Sequence, residues 1–126
     1  MKTPIKKILI VEDDKPILYS LTKKFNLVEG LKVLYAEDGD LALKMALKEK
    51  PNLILLDVIL PKMDGVEMLK KLRQDKRGKD IKVIILSNLS DPAKESTARE
   101  LGVIDYIIKA DWKIDNVIEK VLKQLK

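Results

Sequence analysis

The chain has 126 residues, of which 46% are hydrophobic and 36% are charged, and its 25 basic and 20 acidic side chains give a net charge of +5. This length suits one core, so we expect a single domain over residues 1–126. Cysteine and histidine are both absent, which excludes disulfides, thiol chemistry, Ser-His and Cys-His nucleophile pairs and most zinc sites.

The first half of the chain predicts two strand–helix pairs. Residues 5–11, IKKILIV, are an apolar run that predicts the first strand. Residues 15–28 follow with apolar side chains at helical spacing, and Asp14 can cap that helix. Residues 31–36 predict the second strand and residues 40–50 the second helix.

The third strand is the centre of the pattern. Residues 53–56 are four consecutive apolar residues between Pro51 and Pro61. A short unbroken run of this kind predicts a strand buried on both faces, as in a parallel sheet. Residues 65–74 then predict a helix, with Asp64 as its cap.

The remaining elements continue the same alternation. Residues 81–86 predict the fourth strand, and residues 92–101 predict a helix with a weak apolar face. We expect that helix to be the least firmly packed. Residues 103–108 predict the fifth strand, and residues 112–126 the last helix, capped by Asp111.

Strict alternation predicts an α/β fold, a doubly wound five-stranded parallel sheet with helices on both faces. The carboxyl ends of parallel strands share one edge, where ligands bind. That edge collects polar side chains from four of the five strands, namely Glu12, Asp13, Asp57, Ser87 and Lys109. They could be independent turn residues, but four matched strand ends favour a site. Clustered carboxylates need a cation, and ligands that are all oxygen favour a hard one such as Mg²⁺.

Together with their sequence context, these residues resemble a known family, the receiver domain of two-component response regulators, over nearly the whole chain. The matching pieces are the acids at 12–14 after ILIV, LILLDVILPKMDG around Asp57, VIILS ending at Ser87, and DYIIK with Tyr106 and Lys109. The resemblance implies a flavodoxin-like (βα)₅ fold with strand order 2-1-3-4-5. It also implies a stand-alone type similar to the chemotaxis receivers.

The resemblance implies a role for each residue. Asp57 would accept a phosphoryl group from a phosphohistidine on a histidine kinase or phosphotransfer protein, forming an aspartyl phosphate. Glu12 and Asp13 would hold Mg²⁺ together with Asp57 and the backbone carbonyl of Ile59. Lys109 would pair with a phosphoryl oxygen.

Two further residues would carry the switch. The Ser87 hydroxyl would bond another phosphoryl oxygen, since Ser keeps the donor of the family's commoner Thr. Tyr106 would turn inward as Ser87 moves, biasing a surface on helix four, strand five and helix five that binds an unknown downstream protein. Tyr106 could instead be a plain half-buried strand aromatic.

Two departures from the family pattern affect the site. Ala110 follows Lys109 where the family usually has Pro, so we expect a trans peptide and a differently shaped loop. Asn88 stands where small residues are common, and it could crowd an inward Tyr106.

The expected output is protein binding by a monomer. Ile104 and Glu119 match poorly the charged pattern by which DNA-binding relatives dimerise. A basic cluster could suggest nucleic acid, but no aromatic or arginine-rich reader accompanies it, so we expect none. Its members are Lys70, Lys71, Arg73, Lys76, Arg77, Lys79 and Lys82. The longest apolar runs are too short for a membrane span and no signal peptide precedes Ile5, so we expect a cytoplasmic protein.

Two other functions remain as alternatives. A pseudo-receiver would keep the fold and signal without phosphorylation, but it has no need of the full acid set with Ser87 and Lys109. A small doubly wound enzyme or nucleotide binder would need a Gly-rich phosphate loop after the first strand, where this chain has acids. We therefore expect an acceptor that phosphorylates itself rather than a turnover enzyme.

The signal is predicted to be long-lived. Ile59 and Leu89 lie two residues past Asp57 and Ser87, at positions that the resemblance puts beside the path of the attacking water. Two apolar side chains there should exclude water and slow autodephosphorylation. Replacing both with polar residues should speed phosphoryl loss, followed over time on the phosphorylated protein; an unchanged or slower loss would count against the hypothesis.

Overall fold

A computed structural model describes residues 5–88 and 91–125. Strands and helices alternate along these residues, with one 3₁₀ turn before the last helix. The elements are β1 Lys6–Val11, α1 Lys15–Asn26, β2 Leu31–Ala36, α2 Gly39–Glu49, β3 Leu53–Leu56, α3 Gly65–Gln74, β4 Lys82–Ser87, α4 Pro92–Glu100, β5 Asp105–Ile108, the 3₁₀ turn Lys109–Asp111 and α5 Ile114–Leu125. The predicted alternation of five strands and five helices is confirmed.

The five strands form one parallel sheet in the order β2-β1-β3-β4-β5, which confirms the expected fold and strand order. All four residues of β3 are buried, as predicted for a central strand. Val11 of β1 is in register with Leu56 of β3, and the Asp57 N–H donates to the Val11 carbonyl over 3.0 Å. The strand order reverses between β1 and β3, and the chain beyond both strands therefore leaves the sheet at its switch point.

Alternate strand residues build a core on each face of the sheet. On one face Leu9 and Val11 pack with residues of α2, α3 and α4. On the other face Ile8 and Ile10 pack with residues of α1 and α5. This two-residue period is expected for strands that are buried on both faces, and it fixes each strand between the two cores.

An aspartate caps the amino-terminal end of each of the first four helices. Asp14, Asp38, Asp64 and Asp91 each accept a backbone N–H from the first turn of α1, α2, α3 and α4, which confirms the caps expected at Asp14 and Asp64. Helix α4 buries only Ala98, whereas α3 buries five residues, so α4 is the least firmly packed helix, as expected. Within the described ranges, no helix is long and apolar enough to cross a membrane.

Several predicted boundaries are wrong by one or more residues, most of all at the carboxyl end. Asp111 does not cap α5, because it lies in the 3₁₀ turn and the helix starts only at Ile114. The turn brings the chain back after Lys109, whose side chain points into the interior and is buried. Strand β5 starts at Asp105 instead of residue 103, although the Ile104 N–H still bonds to the Val83 carbonyl.

Arg73, a member of the basic cluster, serves the fold. Its Nε donates to the Leu101 carbonyl over 2.7 Å, and its Nη1 donates to the carbonyls of Gly78 and Ile81 over 2.9 and 2.8 Å. The planar guanidinium thus ties α3, the loop before β4 and the end of α4 together. Arginine is the side chain best suited to bind phosphate, and this one is already engaged within the chain.

Candidate functional site

The sheet brings four of the predicted site residues together and buries them. Glu12 follows β1, Asp57 follows β3, Ser87 ends β4 and Lys109 follows β5, all at the carboxyl edge. Their exposed fractions are 2%, 6%, 0% and 6%, respectively. Charged side chains are rarely buried without partners, so this depth requires interactions among them. Asp13, between Glu12 and the first turn of α1, is exposed.

Lys109 is the central partner. Its Nζ donates to Asp57 Oδ2 over 3.1 Å and also to Glu12 Oε1. The 3₁₀ turn that begins at Lys109 sets the side chain in this position. The peptide after Lys109 is trans, as expected, since no cis peptide occurs in residues 5–88 and 91–125. One ammonium group therefore joins two carboxylates from different strands.

Backbone donors orient the other oxygen of each carboxylate. The Val58 N–H donates to Asp57 Oδ1 over 2.7 Å, and the Asp14 N–H donates to Glu12 Oε2 over 3.1 Å. Each acid is thus held from two sides. The backbone role of Asp14 was missed, because the sequence suggests a role only for its side chain, as a helix cap and as one of the acids at 12–14.

The three acids fit a hard metal ion. One carboxylate oxygen from each of Glu12, Asp13 and Asp57 lies within 4.8 Å of the others. Mg²⁺ prefers such oxygen ligands and keeps several waters, and the exposed Asp13 leaves the group open to solvent. Ile59 lies in the loop after Asp57 and is 58% exposed. Its carbonyl remains a predicted ligand.

The pKa values of Glu12 and Lys109 are both raised, for different physical reasons. Burial raises the pKa of Glu12 to about 7, helped by the charge of Asp57 and opposed by the hydrogen bond from Lys109. Burial alone would lower the pKa of Lys109, but the hydrogen bond to Glu12 and the charges of Asp57 and Glu12 outweigh burial, and the pKa is raised. Lys109 therefore stays charged, and Glu12 takes up a proton at a higher pH than an ordinary glutamate does.

The predicted switch residues lie beside this group. Ser87 is fully buried and pairs in register with Ile108, next to Lys109. Tyr106 is only 7% exposed and belongs to the core cluster that includes Ala98 of α4. It is therefore buried rather than half-buried. Asn88 is exposed and does not keep Tyr106 out of the interior, while Leu89 lies outside the described residues.

A glycine that the sequence marked only as a breaker also shapes the site. The Gly65 N–H donates to the Val58 carbonyl over 2.7 Å. A Cβ on Gly65 would lie 2.1 Å from the carbonyl oxygen of Asp57. Only a residue without a side chain allows α3 to begin this close to Asp57. A glycine directly after a capping aspartate was the available signal.

The chain matches a known protein family in sequence and solved members of it in structure. The model of the response regulator receiver domain matches residues 8–122. Receiver domains solved as structures share the fold: that of a CheY-like response regulator receiver domain protein from Methanospirillum hungatei is 30% identical, with a TM-score of 0.87. It covers 96% of this chain and 94% of that one.

Curated relatives differ in length. The alkaline phosphatase synthesis transcriptional regulatory protein PhoP of Bacillus subtilis is 43% identical over 82% of this chain and 42% of its own length. The sporulation initiation phosphotransferase F of the same species is 36% identical over 94% of this chain and 93% of its own length. The chain thus spans less than half the length of the transcriptional regulators it matches.

The raised pKa of Glu12 predicts a pH-dependent stability. The ordinary value is 4.5 and the folded value about 7, so the folded state binds the proton more tightly. The stabilising contribution is complete below pH 4.5 and is lost as pH rises towards 7. Relative to Glu12→Gln, the metal-free wild type should lose on the order of 2 to 3 kcal/mol over that window.

Urea denaturation at several pH values, with a chelator present, measures this difference. Glu29→Gln, at an exposed position, should follow the wild type throughout. A wild type that gains stability over Glu12→Gln as pH rises through the same window would show that Glu12 is held as a carboxylate.

Proposed function

This chain belongs to the response regulator receiver domain family, and from that premise we propose that it is a phosphorylation-activated receiver with Asp57 as its phosphoacceptor. The observation that carries the proposal is the environment of Asp57. Asp57 is 6% exposed, and its carboxylate lies 3.1 Å from the Lys109 ammonium group and is grouped with two further acids. A lone strand-end aspartate would need none of these partners.

The reaction is a transfer between two protein side chains. A carboxylate oxygen of Asp57 attacks the phosphorus of a phosphohistidine on a histidine kinase or phosphotransfer protein. The phosphorus–nitrogen bond breaks, its electron pair stays on the imidazole, and an aspartyl phosphate forms. The relative named as a phosphotransferase, matched over 93% of its length, supports this chemistry.

The charge of the transferred group is balanced by residues already present. Lys109 would exchange its contact with Asp57 for one with a phosphoryl oxygen, and the Ser87 hydroxyl would donate to another. Glu12, Asp13, Asp57 and the Ile59 carbonyl would hold Mg²⁺, which would supply positive charge at the phosphoryl oxygens. The exposed Asp13 gives the solvent access that such a site requires.

The output is a change of surface rather than a second reaction. Tyr106 belongs to the same core cluster as Ala98, which is the one residue that α4 buries. A shift of Ser87 towards a phosphoryl group would be felt by Tyr106 through the pairing of β4 with β5. The surface of α4, β5 and α5 then changes its affinity for a downstream protein. The chain acts as a monomer and not as a turnover enzyme.

The proposal predicts a single covalent adduct. After incubation with Mg²⁺ and a small-molecule phosphodonor, intact mass spectrometry should find one added phosphoryl group on the wild type and none on Asp57→Asn. Asp91→Asn, which can still cap α4, should be modified like the wild type. No adduct on any of the three, together with no Mg²⁺ binding, would instead favour a receiver that signals without phosphorylation.

A further inference from the structure

The loop between β3 and α3 touches the start of α2 through its backbone. The Gly39 N–H donates to the Pro61 carbonyl over 3.3 Å. A Cβ on Gly39 would lie 1.9 Å from the carbonyl oxygen of Met63 and 2.7 Å from its carbonyl carbon. Because the obstacle is backbone, no side-chain rotation could relieve the clash. Any residue other than glycine at this position must displace the helix or the loop.

The loop is bent sharply at the contact. Lys62 has a φ of +67°, and the Met63 N–H donates to the Pro61 carbonyl over 2.7 Å, closing a three-residue turn. A non-glycine residue in this conformation persists only where its surroundings enforce it, and such residues cluster at functional sites. Here Pro61 accepts hydrogen bonds from the turn itself and from Gly39. The start of α2 is therefore part of what enforces the bend.

The helix is the firmer of the two partners. Ala42 and Ala46 of α2 are fully buried, and Asp38 caps the helix by accepting the Leu41 N–H over 2.7 Å. On the loop side, Ile59 is 58% exposed. A side chain added at Gly39 would therefore move the loop more readily than the helix.

We propose that Gly39 is a positioning residue for the loop between β3 and α3, residues 57–64, which begins at Asp57. This inference rests on the proposed function, in which Asp57 is the phosphoacceptor. The loop is fixed at one end by the contact between Gly65 and Asp57 and in its middle by Gly39. Ile59, the predicted carbonyl ligand, lies between these points. The missing side chain of Gly39 thus sets how the loop presents that carbonyl next to Asp57.

Gly39→Ala and Gly78→Ala form a matched pair. A Cβ on Gly78 would also clash, 2.5 Å from Leu72 Cδ1 and 2.6 Å from the Leu72 carbonyl oxygen, but in the loop between α3 and β4 at the opposite edge of the sheet. Both variants should lose stability. Only Gly39→Ala should weaken Mg²⁺ binding, raising the Kd by about 10-fold in calorimetry and slowing phosphorylation by the small phosphodonor to match.

The outcomes separate the two claims. If both glycine variants bind Mg²⁺ like the wild type, or are weakened equally, Gly39 has only a structural role and the inference fails. If Mg²⁺ affinity falls in Gly39→Ala alone while Asp57 of the wild type takes no phosphoryl group, the positioning role stands and the phosphoacceptor proposal fails. A wild type that neither binds Mg²⁺ nor takes a phosphoryl group would overturn both proposals.

A second pair covers the case in which Gly39→Ala does not fold. Asp38→Ser and Asp38→Ala remove the same charge, but serine can still cap α2. If the start of α2 positions the loop, Asp38→Ala should bind Mg²⁺ several-fold more weakly than Asp38→Ser. Equal Kd values for the two variants would overturn the inference.

Discussion

The burial of two carboxylates around one ammonium group is the constraint on which the site depends. Glu12 and Asp57 would repel each other at the sheet edge, and both are almost inaccessible to water. Lys109 offsets that repulsion by donating to both. Lys109 stays charged beside both acids, and a metal ion or a phosphoryl group would each change which of these buried charges needs a partner.

The sheet and the loops at its carboxyl edge place this group through backbone contacts. Parallel pairing of β1, β3, β4 and β5 delivers the acids, Ser87 and Lys109 to one edge. Glycines at 39 and 65 then let α2 and α3 approach the intervening loop by backbone contact. Away from this centre, α4 buries only Ala98, which belongs to the same core cluster as Tyr106. Firm packing around Asp57 and loose packing of α4 would let a change of charge at Asp57 alter the surface of α4.

Much of this arrangement could be predicted from the sequence, because apolar runs mark where strands end and parallel topology makes those ends meet. Asp57 was placed at the end of a central buried strand on this basis alone. The contact between Gly39 and Met63 could not be predicted, since it joins segments far apart in the chain and leaves no periodic pattern. The predicted start of α5 was wrong for a related reason. Asp111 resembles a helix cap in the sequence, but in the structure it belongs to the 3₁₀ turn that begins at Lys109. The burial of Lys109 therefore outweighs the local preference of Asp111 for capping a helix.

Lys109 and Mg²⁺ would compete for the same carboxylates, Glu12 and Asp57. This competition is tested most directly by comparing the wild type with Lys109→Gln in urea denaturation, first with a chelator and then with Mg²⁺. If both cations serve the same carboxylates, Mg²⁺ should raise the free energy of unfolding of both proteins. It should raise that of Lys109→Gln by about 1 kcal/mol more, because Glu12 and Asp57 are then released from the ammonium group. An equal or smaller gain for Lys109→Gln would contradict the account.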